Sequence, residues 1–325
     1  MASSSRTSFV LASRASNLAQ IQTNIVRDDL EAAFPALSFG TSFMTTEGDK
    51  NQSQALYLLG GKALWTKELE VALKENVVDM LVHSLKDREN PVDSLVVKHG
   101  LPYKTLEDLP EGSVVGTSSV RRVAQLRRSF PGLVFLDVLN INPRNTRLAK
   151  LDAPDGPYTA LILAKAGLVR LGMGDRITVD LTAPILFHAV SQGALAVEIR
   201  ADDQEAQELC KTLTHEETQW KCLAERALLR ELEGGCSVPV GVSTSLSQID
   251  KSDGKLTRAT LEITGCVTSL DGSVHVQDTL SQEVKSIQDA EELGRNLAIK
   301  LMSDGAKAIL DDITQDRRKR ANEAE

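Results

Sequence analysis

Residues 113–129, Ser113-Val114-Val115-Gly116-Thr117-Ser118-Ser119-Val120-Arg121-Arg122-Val123-Ala124-Gln125-Leu126-Arg127-Arg128-Ser129, read as a short strand that turns directly into a helix. Such a turn belongs to an α/β sheet, in which each strand feeds a covering helix. Gly116-Thr117-Ser118-Ser119 brings backbone N–H groups and hydroxyls together. Arg121 and Arg122 follow in the first helical turn, where the helix dipole already favours an anion. The Lys-Ser/Thr of a nucleotide-binding loop is missing, so the turn is read as a cradle for a carboxylate or a phosphate. The plainer alternative is a helix cap with two solvated arginines.

The same alternation extends on both sides. Toward the N-terminus, a strand at residues 7–12 precedes an amphipathic helix with Leu18, Ile21, Ile25, Leu30 and Ala33 on one face. A second strand alternates Phe39, Thr41, Phe43 and Thr45. A helix over 66–75 and a strand over 77–82 complete a βαβ order. Toward the C-terminus come strands at 133–138 and 158–163 and a helix at 164–171. Two α/β units in tandem imply a cleft between them, lined by strand ends. From Leu256 the pattern changes. Two strands flank Asp271-Gly272, a favoured hairpin turn, and a long helix carries Ala290, Leu293, Leu297 and Leu301. This is a separate α+β unit beginning near Thr214. The charged tail from Gln315 reads as solvated.

Cys236 lies in Leu232-Glu233-Gly234-Gly235-Cys236-Ser237-Val238-Pro239. Before it, Thr214 and Glu217 read as a capping box, and Trp220, Leu223, Ala224, Ala227 and Leu228 recur at helical spacing. Gly234 ends that helix, and the glycine pair lets the thiol face a cleft, where it can carry a covalent group. A lone cysteine is otherwise a small buried hydrophobe.

Composition narrows the function. With 325 residues, 42% hydrophobic and 25% charged, the chain suits two or three globular domains. A net charge of −8 argues against general affinity for nucleic acid or acidic membranes. Any anionic ligand must therefore meet a local basic cluster. Four cysteines at irregular spacing, without a Cys-x-x-Cys pair, fit reduced thiols in a cytoplasm and neither a disulfide frame nor a metal site. Residues 1–8 lack the apolar core of a signal peptide, and no apolar run is long enough to span a membrane.

Arg14, Arg147 and Arg170 fall near strand ends or helix starts, a joint placement suited to a ligand with several carboxylates. His83-Ser84-Leu85-Lys86-Asp87 closes a strand and puts Lys86 and Asp87 at the cleft mouth, where Asp87 can stabilise a cation or move protons. Gly60-Gly61-Lys62-Ala63-Leu64-Trp65 precedes a helix and reads as a lid, with Trp65 covering a ring.

Taken in order, Arg14-Ala15-Ser16, Gly48-Asp49, Gly60-Gly61-Lys62, Thr66 to Glu70, His83 to Asp87, Val115 to Arg122, Glu225-Arg226-Ala227 and Glu233 to Gly241 closely resemble the porphobilinogen deaminase (hydroxymethylbilane synthase) family, over nearly the whole chain. The resemblance implies two periplasmic-binding-protein-like α/β domains around a cleft and a C-terminal α+β domain. The expected boundaries are 1–90 with 194–213, then 91–193, then 214–325. It implies a transferase that joins four porphobilinogen molecules head to tail, each losing ammonia, into hydroxymethylbilane for heme and other tetrapyrroles. A dipyrromethane cofactor would be held by Cys236 through a thioether. Asp87 and Lys86 would be catalytic, with Arg121, Arg122, Ser118, Thr117 and Lys62 on the cofactor. Arg14, Ser16, Arg147, Arg170 and Gln192 would take substrate carboxylates. A monomer without nucleic acid, membrane or metal is expected.

The chain departs from the family pattern in three places. Asp87 runs straight into Arg88-Glu89-Asn90-Pro91-Val92-Asp93, so a segment crossing toward the second domain is missing, and with it a strand. An extended chain spans only about 3.3–3.6 Å per residue, so shortening constrains the interdomain geometry. After Val138, Leu139 occupies the usual Arg position; Arg144, after Pro143, is the candidate replacement. Ser191 stands before Gln192-Gly193-Ala194 where the family has Gly. These changes keep open a catalytically impaired relative that binds pyrrole carboxylates without turnover. A further alternative, an anion-sensing domain unrelated to tetrapyrroles, leaves the Cys236 loop unexplained.

Overall fold

The computed structural model describes residues 6–46, 63–86, 90–138, 147–232 and 238–322, which form three sheets and their covering helices. The first sheet has the order β2-β1-β3-β9, from Ser8–Arg14 (β1), Ser38–Met44 (β2), Met80–Lys86 (β3) and Ala194–Ile199 (β9). β1 is parallel to β2 and β3, while β9 returns antiparallel to β3. Successive side chains leave a strand on opposite faces. Phe9 and Leu11 therefore join Val26 and Leu30 of α1 (Asn17–Ala33) and Leu209 of α6 (Gln204–Leu213). Ala12 and Leu81 enter a second core with Leu69 and Leu73 of α2 (Ala63–Lys74).

The second sheet has the order β6-β5-β7-β4-β8, from Asp93–Val97 (β4), Val114–Gly116 (β5), Val134–Leu136 (β6), Ala160–Ala164 (β7) and Val179–Leu181 (β8). Its middle is buried on both faces: Leu95 and Ile162 pack toward one core, Val96 and Leu161 toward another. The expected helix at 119–129 is α3 (Val120–Ser129), with Ser119 as its N-cap. Two short helices, α4 (Arg147–Asp152) and α5 (Lys165–Arg170), follow strands of this sheet.

The third sheet is antiparallel, β10-β11-β12, from Val240–Ser252, Lys255–Thr268 and His275–Val284. The expected hairpin joins its last two strands, and Gly272 at φ +82° supplies the left-handed turn. Helices α7 (Glu216–Glu231), α8 (Ile287–Leu301) and α9 (Lys307–Asn322) cover this sheet in one core containing Trp220, Leu228, Leu261, Ile263, Leu293 and Leu297.

Several details differ from the sequence pattern. The N-cap of α7 is His215, whose ring accepts the Thr218 N–H, so the Thr214–Glu217 box does not form. The tail, read only as charged, is helical through Asn322, since Arg, Lys and Ala are good helix formers. β4, β8, β9 and β10 were not anticipated. β4 is short and wholly buried, whereas the outer half of β10 is exposed, so neither shows sustained alternation over its length.

Two crossings join the first and second sheets, one over 87–92 and one over 182–193. Gln192 ties them together: its Nε2 donates to the Pro91 carbonyl and to Asp93 Oδ1, both at 2.7 Å. The third sheet reaches the same place. Fully buried Glu225 of α7 accepts the Ser191 N–H at 2.7 Å and the Thr244 hydroxyl at 2.6 Å.

Candidate active site

The turn from β5 into α3 is built by close packing. A Cβ on Gly116 would lie 2.4 Å from Leu161 Cδ2 and 2.6 Å from Val138 Cγ2, so only glycine lets β5 seat this deeply. Thr117 is buried, and its hydroxyl accepts the Ser119 N–H at 3.3 Å. Ser119 accepts the Arg122 N–H at 3.5 Å. Ser118 donates to the Asp137 carboxylate, and Tyr158 donates its hydroxyl to the Asp137 carbonyl at 2.7 Å.

Arg121 and Arg122 are not solvated; they are 3% and 8% exposed. Asp93, at the start of β4, lies between them with its side chain wholly buried. Arg121 Nη2 donates to Asp93 Oδ2 and Arg122 Nη2 to Asp93 Oδ1, each at 2.7 Å. Arg121 Nη1 donates to the Phe187 carbonyl at 2.6 Å, and Arg122 Nη1 to the Ile162 carbonyl at 2.8 Å. Burial opposes ionisation of Asp93, but Arg121 and then Arg122 override it and hold the carboxyl well below the usual carboxylate range. One carboxylate faces two guanidiniums, so this centre keeps a net positive charge. The Nε atoms of both arginines are buried without a hydrogen-bond partner.

The other predicted residues are distributed as follows. Arg14 ends β1 and is half-buried, while Ser16 is the exposed N-cap of α1 with no side-chain cap bond. This turn approaches the second sheet, since a Cβ on Gly167 of α5 would lie 3.8 Å from Leu18 Cδ2. Arg170 ends α5, and burial pushes its guanidinium down to about 10. Arg147 opens α4 and is exposed as a residue; desolvation of its head and repulsion from Arg122 lower its pKa, and Asp137 opposes them. Gln192 is buried in the Asp93 centre and turned inward, against the expectation of a ligand contact. Lys86 is the last residue of β3, its backbone paired with Ala194. Trp65 lies in α2, with only its backbone described. Lys62, Asp87, Arg144 and Cys236 lie outside the described residues.

Sequence reasoning missed Asp93 and Glu225 as partners in this region. Asp93 showed only as part of a Pro-Val-Asp stretch, and Glu225 as part of a family motif. The other cysteines are poor nucleophiles: burial pushes the Cys266 thiol up to about 12 and the half-buried Cys210 thiol up to about 11, while Cys222 is buried.

Two α/β sheets joined by paired crossings, with a buried cationic centre at a strand-to-helix turn and an appended antiparallel unit, define a protein suited to an anionic, carboxylate-bearing ligand. Comparison with known proteins makes this specific. The family model "porphobilinogen deaminase, dipyromethane cofactor binding domain" matches residues 9–88 and 87–208, and "porphobilinogen deaminase, C-terminal domain" matches 220–303. The porphobilinogen deaminase of Schizosaccharomyces pombe is 46% identical, covering 94% of this chain and 95% of that protein. That of Synechococcus elongatus is 48% identical, covering 96% and 98%. The chain belongs to the porphobilinogen deaminase family. The first family match comes in two pieces that meet at Asp87-Arg88.

Among solved structures, the probable amino-acid ABC transporter extracellular-binding protein ytmK of Bacillus subtilis overlaps with a TM-score of 0.38 at 12% identity, covering 64% of this chain and 90% of that one. So slight a likeness carries no argument.

The residues present fit a dipyrromethane group. Its carboxylate arms call for positive charge, and the Asp93 centre, with two guanidiniums to one carboxylate, supplies it at the β5–α3 turn.

Proposed function

We propose that this chain condenses four porphobilinogen molecules head to tail, releasing one ammonia at each joining, and that one water then cleaves the four-ring chain from the enzyme as hydroxymethylbilane, supplying its hydroxymethyl oxygen. The dipyrromethane group, when bound through a thioether to Cys236, supplies the pyrrole carbon from which the chain of rings grows. A thioether survives repeated turnover because cellular thiols do not exchange it as they would a disulfide. Arg121, Arg122, Thr117, Ser118 and Lys62 hold the carboxylate arms and orient the reacting ring. Arg14, Ser16, Arg147 and Arg170, with Arg144 in place of Leu139, receive the arms of incoming porphobilinogen.

Loss of ammonia leaves positive charge on the incoming pyrrole. Asp87, which follows β3, stabilises that charge on the ring nitrogen, and Lys86 beside it serves the departing amine. Trp65 covers the ring and excludes water. The chain acts as a monomer in a reducing cytoplasm, and its three domains follow the three sheets: 1–90 with 194–213, 91–193, and 214–325.

The observation that supports this residue-level mechanism is the buried, net-cationic Arg121–Arg122 centre in a chain of net charge −8. Intact-mass measurement on the denatured protein tests it. An added mass of two linked pyrroles mapping to Cys236, lost in Cys236→Ser, is expected. A mass that stays unmodified after incubation with porphobilinogen or hydroxymethylbilane would overturn it.

A further inference from the structure

Asp93 accepts three hydrogen bonds in its buried position: from Arg121 Nη2 and Arg122 Nη2 on α3, and from Gln192 Nε2 on the returning crossing, each at 2.7 Å. Gln192 also holds Pro91 on the outgoing crossing and receives Arg121 Nη2 at 3.4 Å. One carboxylate therefore joins both crossings to both guanidiniums. An arginine side chain held at one end by a fixed carboxylate loses its rotamer freedom before any ligand arrives, so its remaining N–H groups bind without a further ordering cost. We propose that Asp93 is a positioning residue for the anion-binding arginines, and that Gln192 carries the position of the two interdomain crossings to that pair. The inference rests on the function proposed above and extends it to residues that touch neither cofactor nor substrate.

The arrangement also fixes where the chain enters the second sheet. Asp93 lies shortly after the Asp87-Arg88 junction, and β4 is anchored at its first residue by ion pairs as well as by its ladder to β7.

The test uses unloaded full-length protein made in cells that cannot form porphobilinogen, with hydroxymethylbilane as the probe. The rate of mass gain is divided by the folded fraction from circular dichroism at the same temperature. Asp93→Asn, nearly isosteric but uncharged, should load at least tenfold more slowly per folded molecule, and Asp93→Glu should recover part of that loss. Loading within twofold of wild type per folded Asp93→Asn molecule would overturn the inference.

If Asp93→Asn does not fold, Gln192→Glu decides. The introduced carboxyl, when protonated, can donate its one O–H to Asp93 while giving up the bond to Pro91; when ionised, it repels Asp93 and competes with it for Arg121. The charged groups around it are Arg121 and Arg122 on α3 and Asp93 on β4, with Glu225 of α7 on the neighbouring Ser191 and the protonated Cys266 thiol of β11 near Arg121. Loading by Gln192→Glu should be slow near neutral pH and recover toward wild type as pH falls, a recovery that wild type lacks. A pH profile parallel to wild type would overturn the inference. If wild type itself fails to load, the proposed function is at fault; if only the variants behave like wild type, the role of Asp93 is.

Discussion

Two strand-to-helix turns in this molecule look alike in sequence and differ in construction. The β1–α1 turn carries Arg14 and the N-cap Ser16; the β5–α3 turn carries the N-cap Ser119 with Arg121 and Arg122. In the first, the arginine is half-buried and the capping serine makes no side-chain bond to the helix. In the second, the serine caps, and both arginines are buried around Asp93. The first turn leaves its serine open to a ligand, whereas the second is preorganised by the protein's own carboxylate. A cationic residue near a strand end is thus half-buried in one case and part of a built, buried centre in the other.

Removing Asp93 is the largest test of this contrast. Asp93→Ala leaves two buried guanidiniums opposed by no carboxylate and should cost about 3–5 kcal/mol in urea unfolding. Arg14→Ala, at a half-buried residue, should cost less stability than Asp93→Ala while weakening porphobilinogen binding. Equal stability losses would erase the distinction between the turns.

A smaller effect is expected at the returning crossing, where Ser191 sits at φ +56° with its hydroxyl buried and unpartnered. Left-handed strain and a buried, unsatisfied hydroxyl outweigh the extra chain entropy of glycine, so Ser191→Gly should stabilise by about 1 kcal/mol. A fall in the melting temperature would show that the left-handed serine is the better fit at this crossing.

The caps separate the turns more finely. The 3.5 Å bond from the Arg122 N–H to Ser119 is long, so Ser119→Ala should cost about 0.5 kcal/mol, and Ser16→Ala less. Thermal melts of the two variants check the order.

The smallest effect concerns acid. In the β11–β12 hairpin, Asp271 accepts from Ser269 and Ser273, which holds its carboxyl down at about 2. A depressed carboxyl stabilises the fold above its unfolded value, near 3.8, and that contribution is lost as pH falls toward 2. An NMR titration should show the hairpin responding in this window while Asp93 stays ionised, its two arginines holding it lower still. A hairpin titrating at an ordinary carboxylate value would contradict the assigned bonds.

Local patterns were legible wherever one element decides its own form. The strand at β1, the helices at α1, α3 and α8 and the Asp271-Gly272 hairpin follow from apolar spacing and turn chemistry. The family blocks were equally legible, and the family match divides at Asp87-Arg88. The orientation of the arginines was not. Nothing in the cradle motif pointed to Asp93, which engages Arg121, Arg122 and Gln192 together.

By itself the sequence determined the alternation of strands and helices, the appended antiparallel unit and the family, because each rests on residues close in the chain or on blocks in a shared order. Tertiary structure alone decided which charges compensate one another. Asp93 lies 28 and 29 residues from its arginines and 99 from Gln192, and no local pattern marks those partners. They meet only because β4 is drawn between β7 and β8, removing its first carboxylate from water where the nearest available counter-charges are the guanidiniums of α3.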